Sequence, residues 1–69
     1  MKRTYYAIFD NEAMIIGDCY ETLDECIQVA TEGWTYDEFK DANFTVCEFD
    51  DEDGVISLVT AEYDADDIF

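Results

Sequence analysis

The sequence predicts a small α+β domain in ββααββ order: an antiparallel four-stranded sheet with two short helices packed on one face. Three observations carry that expectation. Aromatic and β-branched runs occur as two pairs, one toward each end of the chain, and such residues fit a pleated, half-buried surface. Between the pairs stand Thr22-Leu23-Asp24-Glu25 and Thr35-Tyr36-Asp37-Glu38, each with the spacing of a helix-opening capping box. Hydrophobic residues make up 49% of the chain and proline is absent, so a core can form and no residue lacks its backbone donor. Strands grouped around the helices argue for antiparallel pairing with the helices segregated to one side.

The first strand is Thr4 to Phe9 (TYYAIF). Asp10-Asn11-Glu12 supplies turn chemistry, and the apolar run Ala13 to Ile16 opens a second strand that continues to Cys19. Gly17 interrupts that strand and marks a bulge. In the first helix Leu23, Cys26, Ile27 and Ala30 recur at i, i+3, i+4 and i+7 and form one apolar stripe, and Gly33 suits the C′ position. The second helix runs from Thr35 to about Asp41, with Tyr36 and Phe39 turned the same way and Asn43 ending it. Phe44 to Phe49 (FTVCEF) is the third strand, with Phe44 and Val46 on one face and Cys47 and Phe49 on the other. Asp50 to Gly54 (DDEDG) ends in Asp-Gly, a strong hairpin signal, and Val55 to Tyr63 (VISLVTAEY) is the fourth strand. The final six residues, Asp64 to Phe69, read as a frayed tail. Sixty-nine residues suit one domain, spanning residues 1–69.

The charge sets this chain apart. Nineteen Asp and Glu against three Lys and Arg leave a net charge of −16, and two of the three bases are Lys2 and Arg3. Direct binding to nucleic acid is excluded on this balance, because phosphate contacts need Lys and Arg to displace counterions. An anionic membrane surface is excluded for the same reason. No apolar run approaches the ~18 residues of a membrane span, and none follows Lys2 and Arg3 for long enough to be a secretion signal. Disordered acidic chains are poor in aromatics, whereas here aromatics reach 16%, so the acidity belongs to a folded chain. Repulsion among the charges destabilises such a fold, and the expectation follows that the charge is what the protein uses.

Catalysis has little support. Histidine is absent, and no nucleophile elbow, P-loop or zinc-protease motif occurs. With nineteen carboxylates some pairs are adjacent by chance, so a carboxylate pair carries no signal for acid–base work. Cys19, Cys26 and Cys47 form no C-x-x-C and have no histidine partner; an odd count without a secretion signal fits reduced thiols acting as small core residues. The DDEDG segment resembles the start of an EF-hand loop, but aligning Gly54 with its invariant glycine puts Phe49 and Thr60 where Asp and Glu are needed. No metal and no cofactor are expected. Tyr5, Tyr6, Tyr20, Tyr36, Tyr63 and Trp34 exceed what one small core hides, and Trp34, between the helices, is the first candidate for an interface anchor.

A compact chain of this length has a radius of gyration of about 11 Å and a diameter of roughly 28 Å. Duplex DNA carries one charge per ~1.7 Å of axis, hence about 16 charges over that length, the same total as this chain. The residues expected to carry a phosphate-like surface are Asp50, Asp51, Glu52 and Asp53 in the turn, extended by Glu62, Asp64, Asp66 and Asp67 from the neighbouring strand end. Asp37, Glu38 and Asp41 on the second helix come next. Such a surface attracts the Lys/Arg groove of a nucleic-acid-binding protein in a fast, salt-sensitive encounter.

In size and charge the whole chain resembles the small DNA-mimic inhibitors encoded by phages and mobile elements, acidic anti-CRISPR proteins among them, with EFDDEDG and EYDADD as its densest stretches. The resemblance brings no sequence motif, so no residue's role is carried over from it. It implies a non-catalytic protein in the host cytoplasm that occupies the DNA site of a defence or DNA-processing complex, a CRISPR effector being one such target. Alternative readings are an acidic partner or antitoxin-like neutraliser of a basic protein, and a halophile-adapted small domain. Both a monomer and a homodimer fit the composition.

Overall fold

The computed structural model describes residues 2–69, and for Lys2 the backbone only. Four strands form one antiparallel sheet in the order β2-β1-β3-β4. They are β1 (Lys2–Phe9), β2 (Ile15–Tyr20), β3 (Thr45–Glu52) and β4 (Val55–Tyr63). Three helices accompany them: α1 (Leu23–Gly33), α2 (Tyr36–Asp41) and α3 (Ala65–Ile68). The architecture is α+β, in ββααββ order followed by a short helix. The expectation of two helices is thereby corrected.

The added helix lies where a frayed tail was expected. Asp64 caps it by accepting from the Asp66 amide at 3.0 Å, and the Asp67 carboxylate accepts from the Asp64 amide at 3.2 Å. This capping box satisfies amides that otherwise lack partners. Ala65 is buried, and the Phe69 ring packs 5.6 Å from the ring of Phe39. The tail EYDADDIF is acidic enough to read as solvated, but its small and apolar residues have a core to reach.

Phe39 is the centre of that core. It is fully buried and meets the rings of Trp34, Phe44 and Phe69 at 5.6–6.2 Å. Ile8, Cys26, Ala30, Val46 and Ala65 complete the cluster between the helices and the sheet. The capping expectations explain how α2 is positioned: Thr35 Oγ1 accepts from the Glu38 amide, and the Glu38 carboxylate accepts from the Thr35 amide. For α1 only the Thr22 half of the box forms, with Oγ1 accepting from the Glu25 amide at 3.2 Å. Gly33 is the last helical residue of α1 rather than its C′ cap, and Trp34 closes the helix through its amide to the Ala30 carbonyl. Asn43, with φ +58°, ends the α2 segment.

On the far side of the sheet, Ala7, Phe9, Cys47 and Phe49 form a second small cluster with Tyr5 and Ile15. No residue of the three helices belongs to it. The rings cover one another: Phe49 meets Phe9 edge-on at 5.7 Å and Tyr5 at 6.3 Å. Five strand boundaries differ from the sequence reading, two of them by one residue: β2 ends at Tyr20 and β3 starts at Thr45. β1 begins at Lys2, Ala13 and Met14 belong to the loop before β2, and β3 continues through Asp50–Glu52. Ala13 adopts φ +60°, and Asp10 Oδ1 gathers the amides of Glu12 and Met14, so the first hairpin loop is longer than its sequence suggests.

Candidate acidic interface

No charged side chain is buried among the described residues. The acids are therefore a surface property, and their arrangement follows from the strand register and the helix caps.

Asp50, Asp51 and Glu52 are the last residues of β3, and Asp53-Gly54 alone makes the tight turn, at φ +55° and +84°. Asp51 Oδ1 accepts from the Gly54 amide at 3.0 Å, and Thr4 Oγ1 donates to Asp50 Oδ1 at 3.1 Å. The β1–β3 register places Arg3 opposite Asp51 and Lys2 opposite Glu52. The backbone of two of the protein's three bases thus lies at this end of the sheet with the four acids, and Arg3 opposite Asp51 is a cross-strand pair of opposite charge, which attracts. The negative knob read from DDEDG is a mixed-charge end.

The structure separates Glu62 and Asp64 from that knob. In the β3–β4 pair, Glu52 faces Val55 beside the turn, whereas Glu62 faces Cys47 and Tyr63 faces Val46 at the other end. The separation along β3 is five or six residue steps, about 17–20 Å at the usual rise. The expected extension of the turn cluster by Glu62, Asp64, Asp66 and Asp67 is corrected accordingly. An antiparallel strand carries its far end away from its own turn, so following the hairpin in sequence does not place these acids beside it.

What α3 does instead is bring Asp64, Asp66 and Asp67 beside α2, which carries Asp37, Glu38 and Asp41. Tyr36 on α2 donates its hydroxyl to Asp66, and its ring meets Phe69 at 6.0 Å. Lys40 Nζ donates to the Tyr36 hydroxyl at 3.0 Å, lies 3.8 Å from Asp66 Oδ2 and stands over the Tyr36 ring at 5.3 Å. The Tyr36 hydroxyl first, and then Asp66, hold the Lys40 pKa above its ordinary value. Six acids and this one base are exposed on the α2–α3 pair, with the half-open Phe69 ring beside them. Glu38, Asp64 and Asp67 are also cap residues, so their carboxylates are fixed in direction before any partner arrives. A hollow of about 290 Å³ beside them is lined by Lys40, Asn43, Phe44, Thr45, Asp64 and Asp66.

Glu48 is the most engaged carboxylate of the sheet. It accepts from Thr60 Oγ1 at 2.6 Å and from the Tyr6 hydroxyl at 2.8 Å. These two donors, Thr60 foremost, hold its pKa below the ordinary value, and the same carboxylate raises that of Tyr6. Trp34 does not stand free as an anchor. It is half-buried, with its ring edge-on to Phe39 and to Phe44 at 5.5 Å. Cys26 and Cys47 are core thiols, but Cys19 is exposed, which corrects the expectation for that residue. Burial pushes the Cys26 thiol up to about 11.

Sequence reading located the fourth strand but not its place at the sheet edge. Val55, Ile56, Leu58 and Val59 of β4 are exposed. Its place at the sheet edge leaves this run open.

No family model, no curated protein and no solved structure matches this chain. Among the described residues no helix is long and apolar enough to cross a membrane, and no group of three or more His, Cys, Asp or Glu is placed to hold a metal ion.

Proposed function

We propose that this protein is a non-catalytic inhibitor that presents DNA-like negative charge to a basic, nucleic-acid-binding protein or complex in the host cytoplasm and occupies its binding surface. The observation that carries the reading is a net charge of −16 on a folded chain in which no described charged side chain is buried. Sixteen charges along a longest dimension of 37 Å amount to one per about 2.3 Å, between duplex DNA at ~1.7 Å and a single strand at ~3.4 Å. The α2–α3 acids are the first candidates for the phosphate-like surface, because caps hold three of them and only Lys40 offsets them. Asp50, Asp51, Glu52 and Asp53 come second, since Lys2 and Arg3 lie in register beside two of them. CRISPR effectors belong to the class of target that such a surface suits.

The test is capture of partners by the tagged chain from nuclease-treated host lysate at about 0.15 M salt, followed by challenge with duplex DNA. Surface charges more than ~8 Å apart are largely screened at that salt. Retention of one defined nucleic-acid-binding complex that DNA displaces is the expected result. A partner that stays bound in excess DNA replaces mimicry with the neutraliser reading. Failure to retain any partner makes the charge a solvation device, as in halophile adaptation.

A further inference from the structure

We propose that the outer edge of β4 receives an extended segment of the partner protein as a fifth strand, and that this segment carries Lys or Arg on both sides of a short apolar centre. The edge is open by position, since β4 is the last strand in the order β2-β1-β3-β4. It is also apolar. Val55 and Leu58 are 66% and 56% exposed, and Ile56 and Val59 are 39% and 40% exposed. Natural edge strands are usually protected by charged residues, proline or brevity. β4 has nine residues, and from Val55 to Ala61 it contains no charge, proline or glycine. The opposite edge, β2, is six residues long, carries Asp18 and is interrupted by Gly17 at φ +76°. The protection that β4 does have is two irregularities in its pairing with β3. Around them Ser57 and Thr60 turn their hydroxyls inward, Ser57 to the Asp50 carbonyl and Thr60 to the Glu48 carboxylate. They add twist, which limits an added strand to a short stretch.

Charge selects the occupant. Gly54–Ala61 is eight uncharged residues, about 26 Å of strand, bounded by Glu52 and Asp53 at one end and by Glu62 and Asp64 at the other. A second copy paired antiparallel sets Glu62 and Asp64 of each copy against Glu52 and Asp53 of the other, whereas a segment with basic ends meets Glu62 and Asp64 at one end and, at the other, the turn acids that Arg3 offsets only in part. Main-chain hydrogen bonds supply affinity in this mode of recognition, and the flanking charges fix register. The inference rests on the basic-partner reading above for the sign of the charge, and on the sheet edge for the rest.

The experiment uses the full chain, ¹⁵N-labelled, with a synthetic peptide KKTVTIVTKK at millimolar concentration. Hydrogen exchange of β4 amides is expected to slow at least tenfold, with cross-strand NOEs to the peptide and a weaker effect at 0.5 M salt. A peptide of equal charge, KKTVPPVTKK, is expected to leave β4 exchange unchanged. The proposal is overturned if both peptides act alike, with shifts confined to α2 and α3, because association is then electrostatic only. It is overturned equally if β4 is already protected without peptide in a dimer that tightens as salt rises, because a second copy then holds the edge. Loss of DNA competition in the capture experiment leaves the β4 result intact, and loss of β4 protection leaves DNA-displaceable capture intact.

Discussion

Glu48, Tyr6 and Thr60 meet because antiparallel register sets Tyr6 beside Glu48 and the β4 irregularity turns Thr60 back to it. Two donors aimed at one carboxylate favour its ionised form. With the folded pKa below the ordinary 4.5, the stabilisation is present above the unfolded value and is lost as pH falls through the folded one. The melting-temperature gap between the native chain and Glu48→Gln is therefore expected to be full at pH 7 and to close progressively below pH 4.5. A gap that is unchanged at pH 3 removes the ionised carboxylate from the account. The thiols give a second residue-scale prediction. At pH 8 a thiol titrating at about 11 is only about one part in a thousand thiolate, and Cys47 is buried as well. One accessible thiol per native chain, abolished by Cys19→Ser, is expected with a disulfide reagent. It reacts more slowly than a free cysteine, because partial burial and then Asp51 raise its pKa, and three thiols react after denaturation. Burial of Cys26 and Cys47 was legible as the usual fate of a free thiol, but the exposure of Cys19 and the contacts of Glu48 were not, because cysteine and glutamate carry no local mark of what faces them from another strand.

At the scale of elements, the caps were the most legible feature. Thr22 and Thr35 announce their helices through contacts three residues away, which no tertiary packing is needed to specify. Thr35→Ala is expected to cost about 0.5–2 kcal/mol of stability, read by urea denaturation. Helix α3 was illegible for the opposite reason. Four residues cannot hold a helix in water, so α3 exists because Ala65 and Phe69 dock against the α2 core. Truncation after Tyr63 is expected to lower stability and to loosen α2 as well, and Phe39→Ala to cost about 3–5 kcal/mol. A truncated chain with native melting temperature would restore the frayed-tail reading. The swap of Ala13 and Met14 from strand to loop has a local cause too: once Asp10 gathers two amides, Ala13 is committed to a positive φ.

The whole molecule sets its charge against its core. Its radius of gyration is 11.4 Å, so the acids sit close together, and salt must stabilise the fold while weakening its attachment to a basic partner. The chain is expected to be folded at 10 mM salt and to gain about 4–8 °C in melting temperature by 0.15 M, the shift that ~1 kcal/mol produces at this size. A chain unfolded at 10 mM salt indicates halophilic adaptation. Neutralising Asp37, Glu38 and Asp41 to Asn and Gln is expected to weaken partner binding at least tenfold and to reduce its salt slope. The same treatment of Asp50–Asp53 is expected to weaken it less, because Lys2 and Arg3 lie beside that cluster. The reverse order of effects returns the turn to first place.

Composition and local pattern determined what acts over a few residues: an acidic surface, four β runs, two capped helices and an Asp-Gly turn. Each depends on side chains near in sequence, whose chemistry is the same wherever the segment lies. Tertiary structure alone decided which acids stand together. Strand direction carries Glu62 and Asp64 away from the turn, register draws Lys2 and Arg3 toward it, and docking of α3 joins Asp64, Asp66 and Asp67 to the acids of α2. It also decided that the most apolar strand lies at an edge, because strand order depends on long-range pairing that no local window of sequence contains.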